Sequence, residues 1–579
     1  MSRQVLRTVL VAPSRYDEHG VLVFRIGIVQ NGALGALGGL IEDWNARHAT
    51  TGRAIRYEIF DEKVREPVTP ALLRRWRDEA AARGERFVLM LCGVQTATYP
   101  RARDIALQAK REGIDVIAGG VHLSAHGPSL DFLVSCGVSV GVGEVDTIWD
   151  RIIDDCFAGT LAPVYKLGPE DGLRVKSGFE DITVPALERL PYPHVPPEAM
   201  KRYIATKHLF IDSSRGCPFI CSFCVVKNAF GRTMRSREPA ELLAWMADKV
   251  DREGIRYFGF FDDNFVRNPR HMEVLEGIAK LRADGRRFQI GVMLDVESAC
   301  YAREDSPRGE RNRRFLALCR DAGVASVFMG LESTNDAALV EMQKQVNRDR
   351  KSKGGSDARR ALVERYKTAV EAWHEIGAWV DCGYIIGFEA DRPGCGEQGA
   401  VDALEIGIDL VHFYHVAPLP GAEDYARAKA RDLLLEPDFN EYFKNRPMVK
   451  HPVMSADDLA DELAAAVERF YAWRHVLKRV IGGVLGIGRA RVAAPWTYAK
   501  RQIGQKMMIV AGLFTYYEGG LLRRRGKRWD VRREVIWDEE ARRHYLGATP
   551  PIPTALPPIL AEDGTMEALP ILRRHRLGA

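Results

Sequence analysis

The sequence predicts an α/β protein built from a Rossmann-like domain, a partial (β/α)6 barrel and a mainly helical C-terminal extension. Apolar strand-like runs alternate with helix-like stretches over residues 1–160, and six further strand–helix units follow over residues 205–425. Residues 161–204, between the two, are rich in proline and glycine, which interrupt regular structure and indicate an ordered linker. A chain of 579 residues is also too long for one ordinary core.

Composition narrows the class of protein. The net charge of +5 is small for this length and predicts no nucleic-acid partner. The ten cysteines are scattered singly apart from one trio, which suits a reducing cytoplasm and not a disulfide framework. The N-terminus enters an apolar strand without signal-peptide anatomy, and no apolar run is long enough to span a bilayer. We therefore expect a cytoplasmic protein.

The predicted strands of the first domain end in glycine-rich turns. They cover residues 9–12, 87–92, 116–118 and 138–142, and parallel sheets place ligand sites at the C-terminal ends of their strands. Taken singly, each glycine is best explained as a tight strand-to-loop turn. The residues that these ends single out are Gly93, Thr96, Gly119, Gly120, His122, Gly143 and Glu144.

Three cysteines follow the first predicted strand of the barrel. Cys217, Cys221 and Cys224 lie on one short stretch, and the next cysteine is Cys300. Three thiolates without a nearby fourth leave one metal position open for chemistry. The alternative is a structural zinc site with a distant fourth ligand, although such sites usually show two close ligand pairs.

Polar residues follow two later strands of the barrel, where barrel enzymes place their chemistry. Asp262, Asp263 and Asn264 form either an Asx-rich turn that caps a helix or a ligand-binding segment. Glu332 and Ser333 either start a surface helix or offer acceptors to a ribose or an ammonium group. The barrel strands are predicted at residues 209–213, 257–261, 288–294, 326–330, 380–386 and 411–416.

At these residues the sequence resembles the radical S-adenosylmethionine (radical SAM) superfamily. The match is Cys-x3-Cys-x2-Cys after an Arg-Gly pair, with Pro218 after the first cysteine and Phe223 before the last. The resemblance implies a 4Fe–4S cluster held by Cys217, Cys221 and Cys224, whose fourth iron binds SAM. It implies SAM contacts at Phe223, Asp262, Asp263, Asn264, Glu332, Ser333, Gly383 and Ile385.

The glycine-rich ends of the first domain resemble, in order, the cobalamin-binding domain of one branch of this superfamily. The resemblance implies cobalamin contacts at the seven residues singled out above. The sequence has no Asp-x-His-x-x-Gly motif, which is found in many cobalamin proteins. Residues 17–20 contain the same three residue types but not the spacing of the motif. Cobalamin would then bind without that histidine, or the domain is a relic that binds no corrinoid.

The resemblance implies a cobalamin-dependent methyltransferase that acts on unactivated carbon. Two alternatives stay open: a radical SAM enzyme that cyclises, rearranges or oxidises its substrate, and an iron–sulfur redox or binding protein without turnover. The expected partners are a small-molecule or peptide substrate and an external electron donor such as flavodoxin or ferredoxin. No residue is singled out as a proton acceptor.

The C-terminal extension covers residues 426–579. Ser455 is expected to cap an amphipathic helix with an acidic first turn. Apolar and aromatic residues at 507–522 precede a basic cluster at 523–528. They either touch a membrane surface or, as we favour, pack as a helical cap on the barrel.

Overall fold

Two six-stranded parallel sheets organise the protein. The computed structural model describes residues 4–17, 20–21, 30–203, 205–348, 355–435, 439–442, 446–472, 474–476 and 478–479, and two short paired strands, Ile559–Leu560 and Met566–Glu567. Within these residues, no helix has the length and apolar character needed to cross a membrane.

The first sheet has the strand order β2-β1-β3-β4-β5-β6 and is parallel throughout. The order reverses between β1 and β3, and open sheets of this type bind ligands beyond the strand ends at such a point. The central strand β1 is buried over most of its length, which explains its continuous apolar sequence. The strands are β1 (Gln4–Ala12), β2 (Arg53–Asp61), β3 (Arg86–Leu91), β4 (Asp115–Gly119), β5 (Ser139–Gly141) and β6 (Val164–Tyr165).

Helices connect the strands of this domain and cover its sheet. Buried apolar side chains such as Leu40 and Trp44 hold the first of them against the sheet. The helices are α1 (Gly32–Arg47), α2 (Pro70–Ala81), α3 (Tyr99–Arg111), α4 (Val121–Ala125), α5 (Gly127–Ser135) and α6 (Trp149–Ala158).

The second sheet is an open barrel whose six parallel strands follow one another in sequence order. In the described residues its first and last strands do not pair, so the barrel is partial. The strands are β7 (His208–Ile211), β8 (Tyr257–Phe260), β9 (Gln289–Leu294), β10 (Val324–Met329), β11 (Trp379–Ile386) and β12 (Leu410–His415).

The outer layer of the barrel is helical, and the last helix closes it beside β12. Ser455 caps that helix with a reciprocal capping box to Asp458, and Phe470 packs on Phe413 at 5.9 Å between ring centroids. The helices after the first domain are α7 (Pro197–Met200), α8 (Val226–Ala229), α9 (Pro239–Glu253), α10 (His271–Ala283), α11 (Pro307–Ala322), α12 (Asp336–Glu341), α13 (Gly355–Glu375), α14 (Cys395–Ile406), α15 (Glu423–Ala430) and α16 (Ala456–Phe470).

The fold class is confirmed, with differences in detail. Two strands were not predicted: β2, because Arg and Glu side chains interrupt its apolar residues, and β6, which extends the first sheet beyond residue 160. The linker forms a hairpin of Leu173–Val175 with Ile182–Val184. A later part of the linker packs on α1, where the His194 N–H donates to the Gly35 carbonyl at 2.9 Å. The predictions for residues 507–528 lie outside the described residues.

Candidate active site

The loop that carries the three cysteines leaves the C-terminal end of β7. It begins with a short ladder in which Ser214–Arg215 pairs with Arg235–Ser236. Gly216 follows with a φ of 100°, and a Cβ there would lie 2.4 Å from the Thr233 carbonyl oxygen. The Arg-Gly pair before the first cysteine therefore has a steric cause, because only glycine fits this turn.

The three thiols of this loop are largely buried. Burial raises the pKa of Cys217 to about 11 and that of Cys224 to about 12, so neither thiol ionises readily by itself. A cationic metal centre would stabilise the thiolates that the surroundings disfavour. In the described residues no group of His, Cys, Asp or Glu converges on one metal ion. An iron–sulfur cluster does not require its ligands to converge on one ion, because each thiolate binds a separate iron. Three thiols on one loop are therefore compatible with a cluster.

Asp262 braces the cysteine loop and does not face open space. Its carboxylate is fully buried and accepts hydrogen bonds from the Ser213 N–H at 2.7 Å and hydroxyl at 2.6 Å, and from the Ser214 hydroxyl at 2.5 Å. Burial raises the pKa of Asp262 to about 7. We therefore assign Asp262 a positioning role, in place of the SAM contact that the resemblance implied.

The side chains of Asp263 and Asn264 accept fewer hydrogen bonds than that of Asp262. Asp263 accepts the Gly216 N–H at 2.8 Å, beside the first cysteine, and burial raises the pKa of Asp263 to about 6. The Asn264 amide donates to Asp295 at 2.9 Å, whereas its buried Oδ1 has no partner in the described residues. That oxygen is an acceptor that a donor such as an ammonium group would satisfy.

Glu332 has a constrained backbone at the end of β10. Its φ is 64°, and it is fixed to β11 because its N–H donates to the Gly383 carbonyl at 3.1 Å and its carbonyl accepts the Ile385 N–H at 2.8 Å. Left-handed backbone at a residue other than glycine persists only where the surroundings enforce it, commonly at ligand sites. Ser333 differs, because its hydroxyl accepts the Asn335 N–H at 3.0 Å in the turn that precedes α12.

Lys344 is not among the predicted site residues but lies against two of them, Glu332 and Phe223. Its ammonium donates to Glu332 at 3.0 Å and lies 5.9 Å from the centroid of the Phe223 ring. Burial opposes ionisation, but the negative charge of Glu332 outweighs it and raises the pKa of Lys344. A permanent positive charge therefore lies beside the three thiols. No motif in the sequence marks it, because it reaches the site from a segment after α12.

A cavity of about 410 Å³ separates the first sheet from the mouth of the barrel. Phe261 of the barrel side is half exposed to it and stacks on Phe210 at 4.4 Å between ring centroids. A Cβ on Gly120 would lie 2.2 Å from the Val94 nitrogen, so glycine is required there. Five of the seven residues singled out in the first domain line the cavity: Gly93, Gly119, Gly120, Gly143 and Glu144.

Thr96 and His122, the other two, do not line the cavity. His122 is buried, with Nδ1 3.3 Å from the Thr96 hydroxyl and Nε2 3.0 Å from the Ser129 hydroxyl. Its ring packs on Tyr99 and Phe439, and burial lowers the pKa of His122 to about 3. Both ring nitrogens are thus engaged away from the cavity, and none of the described residues that line the cavity is a histidine.

Glu144 connects the cavity to the cysteine loop through buried ion pairs. It accepts hydrogen bonds from Arg215 at 2.5 Å and from Arg235 at 2.7 Å, and both its own side chain and that of Arg235 are only 3% exposed. Arg215 also pairs with Asp212 at the end of β7, and Arg237 donates to the same carboxylate at 3.0 Å. We call these five side chains the buried ion network.

The network keeps its charges in spite of burial. Burial alone would raise the pKa of Asp212, but the guanidinium groups of Arg215 and Arg237 offset it and hold that pKa at about 2. The network also fixes the linker, because Arg235 donates to the Pro185 carbonyl at 2.7 Å and Arg237 to the Leu190 carbonyl at 2.8 Å. The first domain, the linker and the barrel therefore meet at one ionic cluster.

The fold and the site define a two-sheet protein with a cluster-type cysteine loop and a small-residue cavity facing it. Residues 211–388 match the model of the radical SAM superfamily. The chain is 24% identical over 394 residues to bacteriochlorophyllide d C-12(1)-methyltransferase from Chlorobaculum tepidum, covering 67% of this chain and 75% of that protein.

Two solved structures share the fold. One is the radical SAM methyltransferase TsrM from Kitasatospora setae with tryptophan and a SAM analogue, with a TM-score of 0.56 and 15% identity, covering 91% of this chain and 100% of that one. The other is the cobalamin-dependent SAM radical enzyme OxsB with aqua-cobalamin, with a TM-score of 0.55 and 14% identity, covering 89% and 72% of the two chains.

These findings confirm the resemblance and the prediction of an enzyme: residues 211–388 match the radical SAM superfamily, and the relatives named above are methyltransferases or radical SAM enzymes. The predicted arrangement, a cobalamin-binding-type domain before the barrel, agrees with both structures. The predicted cofactors are those of this family, and TsrM has been solved with cobalamin and a 4Fe–4S cluster. The individual contacts to SAM and cobalamin stay predictions.

We expect the variant Glu144→Gln to loosen the contact between the two domains. The amide cannot neutralise Arg215 and Arg235, and breaking a buried ion pair from one side costs about 3–5 kcal/mol. Differential scanning calorimetry will show a lower unfolding temperature, and hydrogen–deuterium exchange will rise in residues 212–236. The exposed Glu188→Gln is the matched control, and equal exchange in the two variants would contradict this role.

We expect the variant Lys344→Met to make the cluster harder to reduce. One unit charge several ångströms away contributes about 2 kcal/mol at an effective dielectric constant of ~20, so the midpoint potential should fall by roughly 50–100 mV. A redox titration followed by electron paramagnetic resonance measures it. Lys344→Arg should leave the midpoint potential unchanged, and so should Lys280→Met, which replaces an exposed lysine on α10. An unchanged potential in Lys344→Met would refute the electrostatic role.

Proposed function

We propose that the protein is a cobalamin-dependent radical SAM methyltransferase that acts on unactivated carbon. One observation carries the proposal: Asp263 lines the cavity and also accepts the Gly216 N–H, next to the cluster ligand Cys217. A corrinoid in the cavity would therefore lie directly above the loop that holds the cluster. A methyl donor and a radical generator would then reach one substrate from adjoining sites.

The chain supplies binding and alignment for this chemistry. Cobalamin, when bound, would supply a methyl group, and SAM at the cluster would supply the radical chemistry that activates an unactivated carbon. Cys217, Cys221 and Cys224 would hold the cluster, and Asp262 keeps their loop in place through Ser213 and Ser214. The buried ion network would fix the distance between the two cofactor sites.

Other residues of the barrel mouth would hold SAM. Glu332 offers a carboxylate at the end of β10, oriented by Lys344, and its Oε2 lies 3.5 Å from the position of a Cβ on Gly383. Any side chain on Gly383 would compete for that space. The free Oδ1 of Asn264 and the carboxylate of Asp263 suit the ammonium group of SAM. We propose Phe223 and Ile385 as its apolar contacts.

In the first domain the glycines would receive the corrinoid. A Cβ on Gly119 would meet only the Gly141 carbonyl, at 3.6 Å, and one on Gly143 would meet nothing within 4 Å, so side chains there would occupy the cavity. Because Thr96 and His122 bond to each other and do not line the cavity, we do not propose them as direct contacts. The corrinoid would bind without a histidine ligand from the described cavity lining.

The relatives support this proposal and leave one alternative. The curated relative from Chlorobaculum tepidum and TsrM are both methyltransferases by name, whereas OxsB is described as a cobalamin-dependent radical enzyme. A radical reaction without methyl transfer is therefore the second candidate. We further propose a small-molecule or peptide substrate, a one-electron donor protein such as flavodoxin or ferredoxin, and a cytoplasmic location.

The test is an anaerobic assay of the reconstituted, reduced protein with and without methylcobalamin. We expect S-adenosylhomocysteine together with 5′-deoxyadenosine in the presence of cobalamin, measured by mass spectrometry, because methyl transfer consumes one SAM and radical formation another. If 5′-deoxyadenosine forms alone whether or not cobalamin is added, methylation is wrong and the second candidate stands. If SAM is not cleaved at all, the enzyme proposal fails.

We expect the variant Ala36→Trp to abolish cobalamin binding without harming the cluster. Ala36 lines the cavity from α1, where tryptophan is accommodated by the helix but would fill the space above the glycines. Retention of cobalamin after gel filtration should fall at least about tenfold, because a filled cavity offers no apolar surface to bury. Ala36→Ser is the matched control. Equal retention in the two variants would place the corrinoid elsewhere.

A further inference from the structure

A second groove reaches the cysteine loop from a different direction. It consists of two adjoining cavities, of about 830 Å³ and 520 Å³, which share Glu297, Tyr301 and Arg308. Residues 218–221, including the cluster ligand Cys221, form one of its walls. None of the described residues that line it also lines the cavity between the two domains. The loop is therefore approached from two separate sides.

The groove is strongly basic. Among the described residues that line it are eight arginines but only three glutamates, and neither lysine nor aspartate. Five of these arginines pair with nearby carboxylates, whereas Arg308 and Arg311 make no ion pair in the described residues, so the positive charge of the groove is concentrated on α11. Arg308, Arg311 and Arg314 occupy exposed positions three residues apart on α11, so they form one row on its surface. We call this surface the basic groove.

An apolar patch lies within the basic groove, on the cysteine loop itself. Ile220 is 40% exposed and directly precedes Cys221. Phe219 lies beside it, with the guanidinium of Arg267 5.0 Å from its ring centroid. An exposed apolar patch rimmed by charges of one sign is typical of a protein-binding surface. Here that patch covers the residues nearest to the cluster ligands.

We propose that the basic groove is the docking site for a small acidic protein that carries a one-electron donor. The inference rests on the proposed function, because a cluster that cleaves SAM must receive an electron from outside. In the transfer the donor loses one electron and the cluster gains it, and no bond forms or breaks. The arginine row attracts the acidic surface of the partner, and the patch of Phe219 and Ile220 brings it against the loop.

Charge complementarity favours this occupant over an anionic substrate. A substrate must reach the cavity where the methyl donor would lie, and the described lining of the basic groove is separate from that cavity. An electron needs no such passage and only has to reach the cysteine loop. The exposed arginines extend beyond the loop along α11, a length of surface that suits a folded partner.

The test compares Arg308→Glu/Arg311→Glu with the wild-type protein and with Arg75→Glu, an exposed helical control on α2. The probe is a bacterial flavodoxin in its hydroquinone form, and stopped-flow absorbance follows cluster reduction at low ionic strength. We expect the double variant to be reduced about tenfold more slowly and to bind oxidised flavodoxin about tenfold more weakly. Both differences should shrink in high salt.

Reduction by dithionite separates this proposal from the proposed function. Dithionite should reduce all three proteins and support SAM cleavage equally, because it needs no docking site. Failure of SAM cleavage with dithionite would defeat the proposed function, whereas the flavodoxin binding constants would still test the groove. Equal flavodoxin binding and equal reduction rates in the three proteins would overturn docking. If dithionite reduces the cluster of the double variant poorly, the comparison is repeated with the single variant Arg311→Glu.

Discussion

The buried carboxylate of Glu144 is the constraint on which the arrangement of this protein depends. It belongs to the first domain, yet its partners Arg215 and Arg235 lie opposite each other on the two strands of the ladder that starts the cysteine loop. Buried ion pairs contribute little net stability, because desolvation offsets their attraction, but they strongly penalise any geometry that separates them. Glu144 thus sets how the first domain faces the barrel.

Separate groups of residues serve separate tasks around the cysteine loop. Asp262 holds the loop through the serines that precede it. Asp263 connects the loop to the cavity, and Lys344 places a positive charge near the thiols. The residue types follow from these positions. A fully buried carboxylate needs several donors, and a buried ammonium needs a carboxylate, which Glu332 provides. We therefore propose that structural support and ligand contact are divided between neighbouring residues, with Asp262 as the support and Asp263 as the contact.

Local patterns allowed much of this protein to be predicted from sequence. The cysteine spacing, the glycine at each strand end and the six strand–helix units depend on neighbouring residues, and all six barrel strands were found. Long-range packing was not accessible in this way. Nothing near His122 shows that Thr96 and Ser129 occupy both its nitrogens, and nothing near Lys344 shows that it pairs with Glu332. The ion partners of Glu144 lie about seventy to ninety residues away along the chain.

We propose that the corrinoid site and the cluster face each other across Asp263 and Gly216. The most direct measurement is electron paramagnetic resonance on protein poised so that it holds both a reduced 4Fe–4S cluster and cob(II)alamin, because each centre carries an unpaired electron in that state. The structure predicts a dipolar coupling that broadens or splits both signals and that disappears in protein without cobalamin. Two unperturbed signals from a protein containing both centres would contradict the claim.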